Sequence, residues 1–102
     1  AVTSATPTAL APGVPTVAES GVPGYELVGY TALWAPAKTP EAIIRRINQE
    51  AVRVLNQPDI RDRLLTSGEE IVASTSEQFA ATLKSEIAKM SKVIKDAGIK
   101  ID

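Results

Sequence analysis

Cysteine and histidine are both absent from the 102-residue sequence, and each absence removes a class of chemistry. Without cysteine the chain forms no disulfide and offers no thiolate nucleophile. Without histidine it lacks the side chain that most often acts as a general base or binds a metal near neutral pH. The carboxylates show no spacing that differs from ordinary helix surface charge. We therefore predict that the chain is not an enzyme and carries no cofactor and no metal.

An excess of charge of either sign is also absent. The 11 Lys and Arg residues face 12 Asp and Glu residues, which leaves a net charge of −1. Such a chain has no long-range field that would attract nucleic acid or an anionic membrane. No apolar run reaches the roughly 18 residues that a membrane-spanning helix needs. With 44% apolar residues, the composition is that of a globular chain with one core.

The first 24 residues are rich in proline and glycine, which disfavours long helices and strand ladders. We predict a loop arm over residues 1–24 with a strand stub at Ala1–Ser4. Within this arm the spacing of three residues predicts one capped helical turn, with Thr16 as the N-cap, Glu19 as its capping-box partner and Gly21 as the stop. An alternative role for the N–H groups of that turn is to bind an anion.

Residues 25–102 form a second predicted segment, a strand–helix–helix–strand–helix module. Its strands are predicted near Glu26–Ala35 and Glu70–Ala73. The first of them is apolar without polar alternation, which is typical of a strand that helices cover on both faces. The predicted fold class is therefore α/β.

Three helices complete the module. Thr39 is a candidate N-cap, followed by Pro40 at the first helical position. A second capping box, Thr75 with Gln78, opens the longest helix. The predicted helices span Pro40–Asn56, Pro58–Thr66 and Ser76–Ala97, and the last of them carries lysines on its outer face.

The residues that fill this order of elements are distinctive. Residues 15–26 read PTVAESGVPGYE and residues 35–40 read APAKTP. Both stretches resemble the Bug family of binding proteins, the TctC-like receptors of tripartite tricarboxylate transporters, and the resemblance runs in order along essentially the whole chain. The matching segments are Pro15–Glu26, Val28–Tyr30, Ala35–Pro40, Ile47–Glu50, Asn56–Gly68, Glu77–Phe79 and Val93–Ile99.

The resemblance implies a periplasmic solute-binding protein that closes two α/β domains around a small carboxylate and presents it to membrane subunits of the transporter. Members of this family are longer than 102 residues. We therefore expect this chain to be the C-terminal portion of such a protein: a fragment of the periplasmic-binding-protein-like fold, with two or three strands packed by three main helices. The start at Ala1, without methionine, also favours a processed or truncated product.

By analogy with the family, Tyr30 and Thr31 lie on the strand that runs near the interdomain cleft, where their hydroxyl groups could bind a ligand carboxylate. The alternative is that Tyr30 packs in the core and Thr31 only favours a strand. Trp34, the single tryptophan, is expected to pack in the core.

The chain by itself raises two further expectations. A long strand that is apolar on both faces needs neighbours, so we predict a homodimer or a larger oligomer, formed by pairing or exchange of strands. The alternative is a monomer whose N-terminal arm folds back over the strand. The competing function is that of a structural or self-associating module without ligand. The lysines of the last helix are either a solvated face or a docking surface for membrane subunits.

Overall fold

The computed structural model describes residues 1–100, and three α-helices are its regular elements there. Helix α1 spans Glu41–Leu55, α2 spans Pro58–Thr66 and α3 spans Ser76–Asp96. These bounds confirm the three predicted helices to within one residue at each end. The chain divides into two compact units, which are described separately. The first unit contains Ala1–Ala37 and Pro58–Ile71, and the second contains Lys38–Gln57 with the chain from Val72 onward.

Helix α1 begins one residue later than the sequence predicts. Pro40 is the N-cap, with φ −54° and ψ 137°, and it makes no side-chain cap. Its carbonyl accepts the first two hydrogen bonds, from Ile43 N at 3.0 Å and from Ile44 N at 3.2 Å. The prediction that Thr39 caps the helix was wrong, because the ψ angle of Pro40 lies outside the helical region.

Helix α3 begins at the capping box that the sequence predicts. The Thr75 hydroxyl accepts from Gln78 N at 3.1 Å, and the Gln78 side chain accepts from Thr75 N at 2.9 Å. The helix ends at Asp96 with Ala97 as its C-cap, and Gly98 follows with φ +64°. There the Gly98 amide donates to Lys95 O at 3.2 Å and the Ile99 amide to Ile94 O at 3.0 Å. This pair of bonds is a Schellman motif, so both ends of α3 are set by local sequence.

In the second unit, α1 and α3 contact each other. The side-chain amide of Asn48, on α1, donates to the Ser74 carbonyl at 3.0 Å. Because Ser74 directly precedes the cap of α3, this bond fixes the start of α3 relative to α1. In addition to their packing, the two helices are therefore linked by one polar contact between residues 26 positions apart in sequence.

The predicted strands are absent from residues 1–100, where the only β pairing is an isolated parallel bridge between Val2 and Thr16. Residues 25–35 are irregular, so the strand predicted near Glu26–Ala35 is not formed within the described residues, and the stub predicted at Ala1–Ser4 is reduced to its one bridge. A strand needs a ladder to a neighbouring segment, and an apolar run does not supply one. The second predicted strand, Glu70–Ala73, is broken by Ala73, whose φ of +48° no strand residue adopts.

No apolar side chain among residues 1–100 is buried. The one buried side chain is that of Thr16, with 0% exposure. The single core expected from composition is therefore not formed within the described part of the chain, and the α/β class is replaced by a mostly helical arrangement. The division into an arm, 1–24, and a module, 25–102, stays a prediction.

Candidate functional site

The candidate ligand residues Tyr30 and Thr31 lie in the irregular segment of the first unit that precedes α1. Tyr30 is 46% exposed and Thr31 is also exposed. The expectation that Trp34 packs in a core was wrong, because its side chain is 70% exposed. Two hydroxyl groups and an indole thus occur within five residues of accessible chain. The structure places Tyr30 and Thr31 where a solute could reach them.

The backbone just before these residues is held by one long-range and one local hydrogen bond within the first unit. Leu27 N donates to Thr3 O at 2.9 Å, and Tyr25 N donates to Val22 O at 3.1 Å. The bond to Thr3 spans 24 positions in sequence, so no local pattern pointed to it. It lies three residues before Tyr30 and limits where the candidate site can move.

The turn at Thr16 has the geometry that the sequence predicts. The Glu19 carboxylate accepts from Thr16 N at 2.9 Å and from the Thr16 hydroxyl at 3.1 Å, while Glu19 N donates to that hydroxyl at 3.0 Å. Gly21 follows with φ +120°. The alternative that this turn binds an anion is disfavoured, because four of its N–H groups already have partners: Thr16 N and Glu19 N bond within the turn, Val17 N donates to Val2 O at 2.9 Å, and Ser20 N donates to Thr16 O at 3.1 Å.

The first unit also contains a cavity of about 340 Å³ beside α2, which the sequence did not indicate. The hydroxyl of Thr8 donates to the Glu70 carboxylate at its edge. Three acidic side chains and one basic side chain line the cavity, which disfavours a carboxylate ligand. Tyr30 and Thr31 are not among its residues. The lining consists of Ala9, Arg61, Asp62, Leu65, Glu69, Glu70 and Ile71.

The outer face of α3 is less basic than its lysines suggest. Lys89 pairs with Glu86 at 2.6 Å, and Lys92 pairs with Asp96. Within residues 1–100 no cluster of acidic side chains has the composition of a metal site. The helices of the same residues are too short or too polar to cross a membrane.

Comparison with known proteins identifies the family. The model of the tripartite tricarboxylate transporter family receptor matches residues 1–99. This chain therefore belongs to that receptor family, as the motifs at residues 15–26 and 35–40 indicate. Members of the family are periplasmic binding receptors, not enzymes, and they work with the membrane subunits of the transporter.

Individual relatives agree with this assignment. A protein of Agrobacterium vitis, from the TAR-I ttuE-ttuC′ intergenic region, is 36% identical over 90 residues, which are 85% of this chain and 26% of the relative. A Pseudomonas sp. (strain P51) protein from the tcbD-tcbE intergenic region is 33% identical over 84 residues, 81% of this chain and 25% of the relative. Protein BugT of Bordetella pertussis is 28% identical over 90 residues, 88% of this chain and 28% of the relative.

The chain thus spans about a quarter of the length of these relatives. No solved structure matches it at a significant level.

Proposed function

We propose that this chain serves in a periplasmic receptor that captures a small carboxylate and delivers it to the membrane subunits of a tripartite tricarboxylate transporter. The observation that carries the proposal is the family match over residues 1–99. The receptor would have the two-domain α/β fold of periplasmic binding proteins. Its role is binding, without chemical conversion of the ligand.

Tyr30 and Thr31 are the proposed ligand contacts. A phenol and a hydroxyl each donate one hydrogen bond, and a carboxylate accepts several through its two oxygens. Tyr30 exposes 46% of its surface, so a ligand can reach its side chain without unfolding the segment. Hydrogen bonds to a charged acceptor are stronger than those between neutral groups, which favours a carboxylate over an uncharged solute.

The α/β arrangement of the receptor requires the segment near Tyr30 to gain strand neighbours. Leu27 is already bonded to Thr3 at 2.9 Å, and Leu27 and Val28 are 48% and 38% exposed. Apolar side chains on both sides of an unladdered segment are what a strand presents before its neighbours and covering helices are in place. This exposure supports the proposal that the segment becomes a strand in the complete receptor.

The ligand site can be tested with the 102-residue chain. We expect citrate or aspartate to bind no tighter than about millimolar, because a few contacts offset little of the entropy lost on binding. Two-dimensional NMR titration should nevertheless show saturable shifts centred on residues 30 and 31. Tyr30→Phe and Thr31→Val should remove these shifts.

Tyr25→Phe is the matched control, because Tyr25 is 38% exposed on the same segment and is given no ligand role. It should leave the titration unchanged. Micromolar affinity for citrate would mean that the whole site lies within these residues. The absence of any saturable shift at citrate concentrations well above the millimolar range would count against Tyr30 and Thr31.

A second candidate function is that of a self-associating module. It is favoured by the large apolar side chains that the segment near Leu27 exposes in the first unit, among which Leu33 is 78% exposed, Trp34 70% and Leu27 48%. Exposed apolar area on this scale marks a surface that another chain covers. A homodimer would cover it by pairing or exchange of the segment near Leu27.

Light scattering distinguishes the two candidates by mass. Self-association predicts a mass above 10.8 kDa that rises with concentration between about 10 and 100 μM. A constant mass of 10.8 kDa over that range would exclude the homodimer. Saturable carboxylate shifts on a monomer would favour the receptor role alone.

A further inference from the structure

The segment that carries Tyr30 and Thr31 is anchored at its start by two hydrogen-bonded routes. Both routes begin at the turn of residues 16–21. They meet at residues 25–27, a few positions before the proposed ligand contacts. The proposed ligand contacts lie outside the turn, so any effect of the turn on binding acts through the backbone.

The first route passes through the N-terminal residues. Val2 N donates to Pro15 O at 2.8 Å, and Val17 N donates to Val2 O at 2.9 Å. These two bonds form the parallel bridge of Val2 with Thr16. The next residue, Thr3, accepts from Leu27 N at 2.9 Å. The N-terminal residues therefore connect the turn to Leu27.

The second route follows the chain itself. Val22 N donates back to Val17 O at 3.3 Å, which closes the turn after Gly21. Val22 O then accepts from Tyr25 N at 3.1 Å. The turn thus fixes the direction in which the chain leaves toward Tyr25.

Two side chains hold the turn together. Thr16 is 0% exposed, and its amide and hydroxyl both donate to the Glu19 carboxylate. The Glu19 amide donates to the same hydroxyl at 3.0 Å. Since a buried donor without a partner is costly, removing either side chain would leave polar groups that only a rearranged turn could satisfy.

We infer that Thr16 and Glu19 are positioning residues for the carboxylate contacts at Tyr30 and Thr31. The inference rests on the function proposed above. Loss of the Thr16–Glu19 pair frees the turn, both routes loosen at residues 25–27, and the two hydroxyl groups lose their fixed placement.

Glu19→Ala tests the inference, with Glu19→Gln as its conservative counterpart. Gln78 shows that a glutamine at this position of a capping box still accepts from the N-cap amide, at 2.9 Å. In Glu19→Ala the amides of Tyr25 and Leu27 should exchange with solvent about fivefold to tenfold faster, as loss of a cap predicts. The dissociation constant for the carboxylate, measured from the shifts at residues 30 and 31, should rise at least threefold, on the order of the stability lost at the cap. Glu19→Gln should leave both the exchange rates and the dissociation constant at their wild-type values.

Gln78→Ala is the matched control, because it removes the corresponding partner in the second unit. It should speed exchange at the start of α3 and leave Tyr25, Leu27 and the titration unchanged. If Glu19→Ala unfolds the chain, Glu19→Asp replaces it: its carboxylate is one methylene shorter, so exchange at Tyr25 and Leu27 should rise and carboxylate binding should weaken by smaller factors, whereas Thr16→Ser keeps the hydroxyl and should behave as the wild type.

The two proposals fail in different ways. Unchanged exchange at Tyr25 and Leu27 in Glu19→Ala would overturn the inference, and so would faster exchange with an unchanged titration. If the wild type itself shows no titration, the proposed ligand site falls and the ligand step of the inference falls with it.

Discussion

Two capping boxes of almost identical geometry lead to different structures in this chain. In the Thr16–Glu19 box the N-cap amide bonds to the partner side chain at 2.9 Å and the partner amide returns to the hydroxyl at 3.0 Å. In the Thr75–Gln78 box the same two distances are 2.9 and 3.1 Å. The first box opens a single turn, whereas the second opens the 21-residue helix α3.

The residues after each box explain the difference in length. The first turn meets Gly21, at φ +120°, and then Pro23, which has no N–H to donate. Residues 76–96 contain neither glycine nor proline, so α3 continues to Asp96, two residues before Gly98. A capping box therefore sets where a helical turn begins, and the residues that follow set how long it lasts.

Burial is the second difference between the two boxes. Thr16 is the fully buried residue, while Thr75 is exposed. The backbone of Thr16 lies against Val2 in the parallel bridge, and Thr75 has water as an alternative partner. The Thr16–Glu19 box thus stabilises a contact between distant segments, whereas the Thr75–Gln78 box stabilises only the start of a helix.

The largest expected effect is that of removing the two N-cap hydroxyl groups. Thr16→Val leaves buried polar groups without a partner and should lower local stability by about 1 to 3 kcal/mol. Thr75→Val, at an exposed cap, should cost about 1 kcal/mol. Amide exchange measures the two losses of stability. Ser20 N donates to Thr16 O and reports the first cap, and Phe79 N donates to Thr75 O and reports the second. Equal losses would show that burial of Thr16 adds nothing.

An effect of similar size is expected from the glycines that close the two elements. Gly21 has φ +120°, which only glycine adopts readily, whereas Gly98 at +64° lies in the left-handed helical region. A Cβ meets no atom within 4 Å at either position, so strain alone decides the cost. Gly21→Ala should cost about 1 to 3 kcal/mol, and Gly98→Ala about 1. Amide exchange rates at Val22 and Ile99 measure the stability lost in each variant. A larger loss in Gly98→Ala than in Gly21→Ala would contradict this ranking.

The smallest expected effect is that of exchanging the partner residues of the two boxes. Glu19→Gln and Gln78→Glu each keep an oxygen that accepts from the N-cap amide, so each should change local stability by no more than about 0.5 kcal/mol. Amide exchange at Thr16 and Thr75 measures the change. A loss near that of Thr16→Val would mean that the Glu19 charge, and not only its oxygen, holds the turn.

Much of the local structure could be predicted from residues that are close in sequence. The three helices and both boxes follow from caps, stops and apolar spacing within a few positions of each other. The error at Thr39 was one residue, because Pro40 takes a ψ angle that its neighbours do not reveal. Membership of the receptor family was also predicted correctly, from the motifs at residues 15–26 and 35–40.

The candidate site was predictable only in part. The sequence named Tyr30 and Thr31, and the structure makes them accessible; their contact with a ligand stays a prediction. The bond from Leu27 to Thr3, which holds their segment, joins residues that share no pattern. The expected strand over the same segment did not form, because an apolar run specifies what a strand would bury but supplies no partner for its backbone.

The sequence by itself determined where each helix starts and stops, because caps, glycines and i to i+4 bonds join residues within one or two turns. Only the tertiary structure decided which segments pair, why Thr16 is buried while Thr75 is not, and how accessible Tyr30 is. Those features depend on groups 14 to 24 positions apart, such as Val2 with Thr16 and Thr3 with Leu27. Their meeting is set by the path of the whole chain, and no short stretch of residues encodes that path.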